Sequence, residues 1–319
     1  MKCQVPKYQA IDGVPRCLGI EPDVLRENIK FKAGKGDVMQ STFPKSGTHW
    51  IQYVTQLILK KGHPIASHKE FTTNSCFLEY TKLNEFKSTL PMKTFLTHLP
   101  LSRDTMTAEA KYVYVARNPW DVCVSFFHMA ASLSSYEFQD GTFEQFVHAF
   151  ISGNFGYGDY FEHVASAYAL KHDANVFFVT YEELKKDTRD IVLRLAYFLG
   201  DEYGRCLEDD DKFFAELLDR CSPAGMKSVM VVDLNETSDP VWKKFAPSVQ
   251  PGTKLCREGY QNTYSVVRSG KVGNWKEYFT PELLRRMELR IQEAERSSSF
   301  VNLWPRMRLE AVQVLLNSR

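Results

Sequence analysis

Extended apolar runs alternate along the chain with stretches whose apolar residues recur every three or four positions. GDVMQSTF (36–43), KTFLTHL (93–99), KYVYVAR (111–117) and NVFFVTYEEL (175–184) are short and rich in β-branched and aromatic residues, the composition of buried strands. THWIQYVTQLILKKG (48–62) follows the first run with Trp50, Val54, Leu57 and Ile58 on one helical face and ends at Gly62. Helical spacing also marks 120–133, 142–153, 159–172, 187–200, 211–221 and 280–295, the last with Thr280 as cap and Pro281 at its first position. Strands that alternate with helices predict βαβ units and an α/β fold with a mostly parallel sheet, and 319 residues suffice for one large domain or two small ones. Residues 1–20 are expected to be irregular. Residues 222–268, with little periodicity, are expected to form a long lid-like loop, and 297–319 a C-terminal extension.

Composition narrows the class without naming it. The 319 residues carry a formal net charge of +1, so no global basic field points to nucleic acid. The seven cysteines form no Cys-x-x-Cys pair, which argues against a disulfide framework or a structural zinc. No metal-ligand cluster is visible. No run approaches a membrane span and the N-terminus lacks an apolar signal core. These features predict a cytoplasmic protein with no membrane partner.

Candidate chemistry begins where the first strand meets its helix, in TFPKSGTHW (42–50). Open α/β sheets bind ligands at such steps. Lys45, Ser46, Gly47 and Thr48 offer an ammonium, two hydroxyls and free N–H groups at a helix N-terminus, a combination suited to phosphate or sulfate. A lysine and a capping hydroxyl on an ordinary βα turn would look the same. The loop is not a Walker A motif, because Gly47, not a lysine, precedes Thr48. A second step, KYVYVARNPWDVCVS (111–125), ends a buried strand with Arg117 and carries Ser125 on the next helix. Arg117 suits bidentate phosphate contact, or a surface ion pair with Asp121. A third segment, RSGKVGNW (268–275), combines two glycines with an arginine and a lysine, as a basic closing loop or a solvated one would.

Together these segments resemble the cytosolic sulfotransferase family. TFPKSGTHW is similar to its 5'-phosphosulfate loop, the Arg117/Ser125 pair to its 3'-phosphate signature, RSGKVGNWK (268–276) to its late glycine motif, and Thr97-His98-Leu99-Pro100 to its T-H-L-P segment. The resemblance runs from about residue 36 to about 285. It implies a single α/β domain over residues 1–319 whose central, mostly parallel sheet is flanked by helices and related to that of nucleotide kinases, a donor that is 3'-phosphoadenosine 5'-phosphosulfate, no metal, and a small acceptor hydroxyl or amine. It implies that Lys45, Ser46, Gly47, Thr48, His49, Trp50, Arg117, Ser125, Tyr181, Cys221, Arg268, Ser269 and Gly270 hold the donor. It further implies that Trp50 stacks on adenine, that Lys45 meets the transferring group and that His98 is the base. Phe77 and Tyr80, with His98, would line the site of a phenolic or aromatic acceptor, and Tyr157 its edge.

The chain departs from the family pattern in places. His49 replaces a threonine, Ser269 a lysine, Cys221 a Ser/Thr and Pro223 an adenine-stacking Phe. Leu96 stands where a second lysine helps hold the transferring group, with Lys93 nearby on the same run. Lys276 to Arg285 departs from the family's dimer segment, which predicts a monomer or a dimer built elsewhere. Two other readings remain open: a P-loop-like kinase of a small molecule, and a non-catalytic member that only binds nucleotide or a small ligand.

Overall fold

The computed structural model describes residues 4–233, 263–265 and 270–317. Its centre is a five-stranded parallel sheet in the order β4 (Ser75–Phe77), β5 (Lys93–Thr97), β3 (Asp37–Thr42), β6 (Lys111–Ala116), β7 (Val176–Thr180). Four of these strands lie in the runs expected from sequence; β4 has only three residues, too few to show a period. Because β3 pairs with β5 on one side and β6 on the other, the carboxyl ends of all three open on one edge.

Strand alternation divides the core into two layers. Met39, Phe95, Tyr112 and Tyr114 face helices α1 (Pro22–Asn28), α4 (Pro119–Ser132), α5 (Phe143–Ser152), α6 (Tyr160–Tyr168) and the Pro281–Glu295 helix. Val38, Val113, Val115 and Val179 face α2 (Thr48–Leu59), the Thr188–Leu199 helix and the Asp211–Cys221 helix. Both faces are thus covered, as a parallel sheet requires.

Three expectations change. Residues 9–16, expected to be irregular, form a hairpin of β1 (Gln9–Ile11) and β2 (Val14–Arg16). Its turn is Asp12-Gly13, both at positive φ (51° and 79°), the Asp-Gly signal of a tight hairpin. The run 175–184 is not one strand: Thr180 caps a short helix, Tyr181–Lys186, through a reciprocal capping box with Glu183, which ends the strand. Residues 223–229, inside the expected loop, form a helix that Ser222 caps and Pro223 starts. Most of 222–268 otherwise lies outside the described residues. Among the described residues no helix is long and apolar enough to cross a membrane.

The expected C-terminal extension contains a helix, Pro305–Asn317. Arg308 reaches back to the Pro281–Glu295 helix, bonding Glu288 at 2.7 Å and Glu295 at 3.0 Å. Arg308→Ala should loosen this helix locally by about 1–2 kcal/mol, since Glu288 loses its cationic partner and keeps only the Gln292 amide, while Glu295 is largely solvent-screened. Hydrogen exchange should quicken over 305–317 and stay slow in β3 and β6; equal quickening in the sheet would contradict a local role.

Candidate functional site

The loop after β3 is built to leave polar groups unpaired. Lys45 sits at φ 71°, a left-handed conformation uncommon for a side-chain-bearing residue. Gly47 follows at φ 110° as the N-cap residue of α2, and a β-carbon there would lie 2.8 Å from Tyr181 Cδ2. Conformation and space both demand glycine. The Ser46 hydroxyl is fully buried and has no partner among the described residues. Thr48 is already engaged: its hydroxyl meets that of Thr42 at 2.7 Å, and its carbonyl accepts from Gln40 at 2.8 Å.

Arg117 enters the same crevice from the end of β6. Its Nη1 donates to the Lys45 carbonyl at 3.2 Å and its Nη2 to the Lys271 carbonyl at 3.0 Å, while the guanidinium lies 4.4 Å over the Tyr181 ring. Its buried Nε has no protein partner, and Asp121 is 3.9 Å away, too far for a hydrogen bond. Asp121 has another task. It accepts from Asn118 Nδ2 (3.0 Å), Gly273 N–H (2.8 Å) and Trp275 N–H (3.1 Å), and so ties residues 273–275 to the start of α4. Gly270 sits at φ 61°, and a β-carbon there would lie 3.6 Å from the Tyr181 hydroxyl and 3.9 Å from Pro223. Ser125 is half-buried on α4. Arg268 and Ser269 lie outside the described residues.

Trp50 and Tyr181 meet edge to face at 5.3 Å. The indole N–H donates to the Cys221 carbonyl at 3.0 Å. The Cys221 thiol is sealed in the core, and burial pushes its pKa up to about 12. Cys221 therefore contributes to this region by its backbone, not its side chain. His49 turns its ring toward Phe71 at 6.0 Å; burial and the nearby His68 and Lys45 push its pKa down to about 3.

His98 follows β5 on the other side of β3. Its Nδ1 lies 2.7 Å from the Thr42 carbonyl, an acceptor only, so Nδ1 carries the proton and Nε2 the free lone pair. Burial lowers the ring's pKa to about 4, the Thr42 contact opposing and the nearby Lys45 assisting. Its backbone is gripped twice. The N–H donates to Glu79 Oε1, and the carbonyl accepts from His163 Nε2 at 3.0 Å, whose Nδ1 meets the Tyr114 hydroxyl at 2.8 Å. Sequence reasoning missed Glu79, His163 and Tyr114. Each sits in an apolar run that reads as core, and only their buried polar atoms reveal a role.

Aromatic rings surround His98. Phe77 lies 5.1 Å from its ring and Tyr157 5.2 Å, while Phe77 packs on Tyr80 at 4.8 Å. The Tyr80 and Tyr157 hydroxyls meet at 2.9 Å. Lys93 does not join this group. It is exposed at the opposite end of β5, in register with Asp37 at the start of β3, so the strand's length separates it from His98. Leu96 is buried.

Gly47→Ala should cut affinity for 3'-phosphoadenosine 5'-phosphate by about tenfold or more, because the left-handed turn and Tyr181 cannot both be kept; calorimetry giving unchanged affinity would contradict this account. The His98 imidazole should stay neutral on acidification from pH 8 to about 5 and protonate only as pH falls through about 4. NMR titration of the ligand-free protein checks this, and a midpoint near the ordinary ~6.5 would refute it.

Comparison with known proteins places this geometry. The family model described as "Sulfotransferase domain" matches residues 35–299. The chain is 32% identical to the 3-beta-hydroxysteroid sulfotransferase of Cavia porcellus, over 82% of this chain and 85% of that one. It is 28% identical to the amine sulfotransferase of Oryctolagus cuniculus, over 89% of each. Among solved structures, mouse sulfotransferase SULT7A1 complexed with PAP superposes with a TM-score of 0.67 at 25% identity, covering 92% of this chain and 96% of that one. A retinol dehydratase in complex with androsterone and PAP shares the fold, with a TM-score of 0.69 at 21% identity, covering 93% and 92%.

Proposed function

The chain belongs to the sulfotransferase family, and on that premise we propose that it transfers a sulfuryl group from 3'-phosphoadenosine 5'-phosphosulfate to the hydroxyl or amine of a small, aromatic acceptor, with His98 as general base. The observation that carries this reading is the placement of His98 Nε2, tautomerically free, inside an aromatic wall and within electrostatic reach of Lys45. A histidine held in that form accepts a proton without first losing one.

The residues fit the donor. The buried Ser46 hydroxyl and Arg117 Nε lack protein partners on the edge where two anionic groups would lie, and the start of α2 adds unpaired N–H groups. Lys45, Ser46, Gly47 and Thr48 would hold the 5' end. Arg117, Ser125 and residues 268–270 would hold the 3'-phosphate, and Trp50 with Tyr181 the adenine. When bound, the donor supplies the sulfuryl group and leaves as 3'-phosphoadenosine 5'-phosphate. His98 Nε2 takes the proton from the acceptor O–H while that oxygen forms its bond to sulfur, and the bond from sulfur to the bridging phosphate oxygen breaks. Lys45 stabilises charge on the oxygens being separated, and the other groups position the reactants. No metal is required by this scheme.

The acceptor would lie between Phe77, Tyr80 and Tyr157, whose flat faces suit an aromatic ring. The names of the relatives, a hydroxysteroid and an amine sulfotransferase, bracket the acceptor chemistry without choosing within it. Pro223, which a β-carbon on Gly270 would approach to 3.9 Å, would supply an aliphatic rather than an aromatic face if it borders the adenine. Lys276 pairs with Glu310 at 2.7 Å and Arg285 with Glu282 at 2.6 Å. With those charges engaged within the chain, a monomer or a dimer built on another surface remains the proposal.

Transfer of labelled sulfate to a panel of phenols, catecholamines and steroids tests the reading. His98→Ala should lower turnover by about 10²–10⁴ while 3'-phosphoadenosine 5'-phosphate still binds. Arg117→Ala should instead weaken nucleotide binding by about 10²-fold or more, the cost of removing one partner from a desolvated charged contact. Full turnover by the first variant removes His98 as base; unchanged nucleotide affinity in the second removes Arg117 from the donor site.

A further inference from the structure

The last residue of the N-terminal hairpin, Arg16, is a buried cation whose Nε has no hydrogen-bond partner among the described residues. Only 8% of it is exposed, its Nε is sealed, and among the described residues its guanidinium makes no hydrogen bond and no salt bridge within 4 Å. Such a group is costly to bury unless something pairs with it. Its surroundings identify the place. Arg16 lies within electrostatic reach of Glu79, Tyr157 and His163. Glu79 and His163 hold the backbone of His98, and Tyr157 packs on the His98 ring. The next residue, Cys17, contacts Tyr136 at 3.5 Å and lies in electrostatic reach of both Tyr80 and Tyr157. The hairpin thus brings a guanidinium within electrostatic reach of Tyr157, one of the rings packed on His98.

Glu79 favours the Arg16 cation electrostatically but forms no salt bridge with it among the described residues. One carboxylate oxygen, Oε1, is occupied by the His98 N–H and the Thr97 hydroxyl, and Oε2 is buried without a partner. Burial drives the Glu79 carboxyl up to about 7, so near neutral pH it supplies only part of a negative charge. A cation remains, with a planar donor fork suited to a carboxylate.

We propose that Arg16 docks an acidic acceptor: the guanidinium binds the carboxylate of a hydroxylated aromatic acid whose hydroxyl is presented to His98. This rests on the reading of the aromatic wall as the acceptor site. It adds a specificity that the aromatic walls alone lack, since Phe77, Tyr80 and Tyr157 accept any flat ring while Arg16 distinguishes an acid from its neutral ester.

The test uses a matched pair, 4-hydroxyphenylacetate and its methyl ester, with the full-length protein, Arg16→Leu and Arg16→Lys. Binding is measured by calorimetry on the complex with 3'-phosphoadenosine 5'-phosphate, and transfer by labelled sulfate. The wild type should favour the acid, and Arg16→Leu should reduce the acid-to-ester ratio of affinities by about 10²-fold, with Arg16→Lys intermediate. Ligand-free Arg16→Leu should melt at or above the wild type, because an unpaired buried charge has been removed. A wild type that binds acid and ester alike overturns the proposal, as does a variant that loses both equally. A marked fall in melting temperature also overturns it, by making Arg16 a structural partner of Glu79. Because calorimetry needs no turnover, Arg16-dependent binding without sulfate transfer would leave this inference standing and remove the transfer reading instead.

Discussion

Parallel pairing of β3 with both β5 and β6 is the constraint on which the site depends. Ser41 pairs with Thr97 and Thr42 with Val115, so the three strands end together. One residue beyond β5 is His98, and one beyond β6 is Arg117. The loop beyond β3 carries Lys45 and Ser46. No local interaction brings these four together; they are 45 to 117 along the chain. Hydrogen-bonded register does so, and the requirement that a parallel sheet cover both faces holds the strands in place. The crevice at the carboxyl ends follows from the topology.

Within that frame, buried polar groups hold His98, the base in the proposed reaction. His98 is fixed at its ring by Thr42, at its N–H by Glu79 and at its carbonyl by His163. Burial keeps both histidines neutral near pH 7, with His163 down at about 3. The sign of the linkage is the same for both. Their folded pKa values lie below the unfolded ~6.5, so the unfolded chain binds more protons below that pH. The stability they contribute is present above about 6.5 and is lost as pH falls toward 4 and 3. Glu79 acts in the opposite sense. Its folded pKa, about 7, lies above its ordinary value, so its contribution is present at low pH and is lost as pH rises through about 7. The two histidines outweigh it below 6.5, and these three groups together disfavour the folded state in acid.

The same region concentrates groups that a purely structural core would not tolerate. Ser46 Oγ, Glu79 Oε2, Arg16 Nε and Arg117 Nε are all buried without protein partners. Lys45 adds a left-handed backbone. Buried unpartnered atoms also occur elsewhere, at Asn28, Gln52 and Thr55 among others, so it is their coincidence here with the left-handed Lys45 and the strand ends that supports the proposed ligand site.

Much of this was legible in the chain itself, because its signals are local. Period and composition located four of the five sheet strands and the principal helices, since a strand's apolar run and a helix's spacing are properties of a few consecutive residues. The turn Lys45-Ser46-Gly47-Thr48 and the Arg117-to-Ser125 step were readable for the same reason. Tertiary structure decided the rest. β4 is too short to show a period, and Lys93, five residues before His98, could be excluded only by its register with Asp37. Cys221 proved to act through its carbonyl because the Trp50 indole reaches it from a distant helix. Glu79, His163 and Arg16 looked like ordinary members of a strand end, a helix and a tail. Their significance lies in which buried atoms they meet or fail to meet, and those partners come from segments that sequence spacing does not relate.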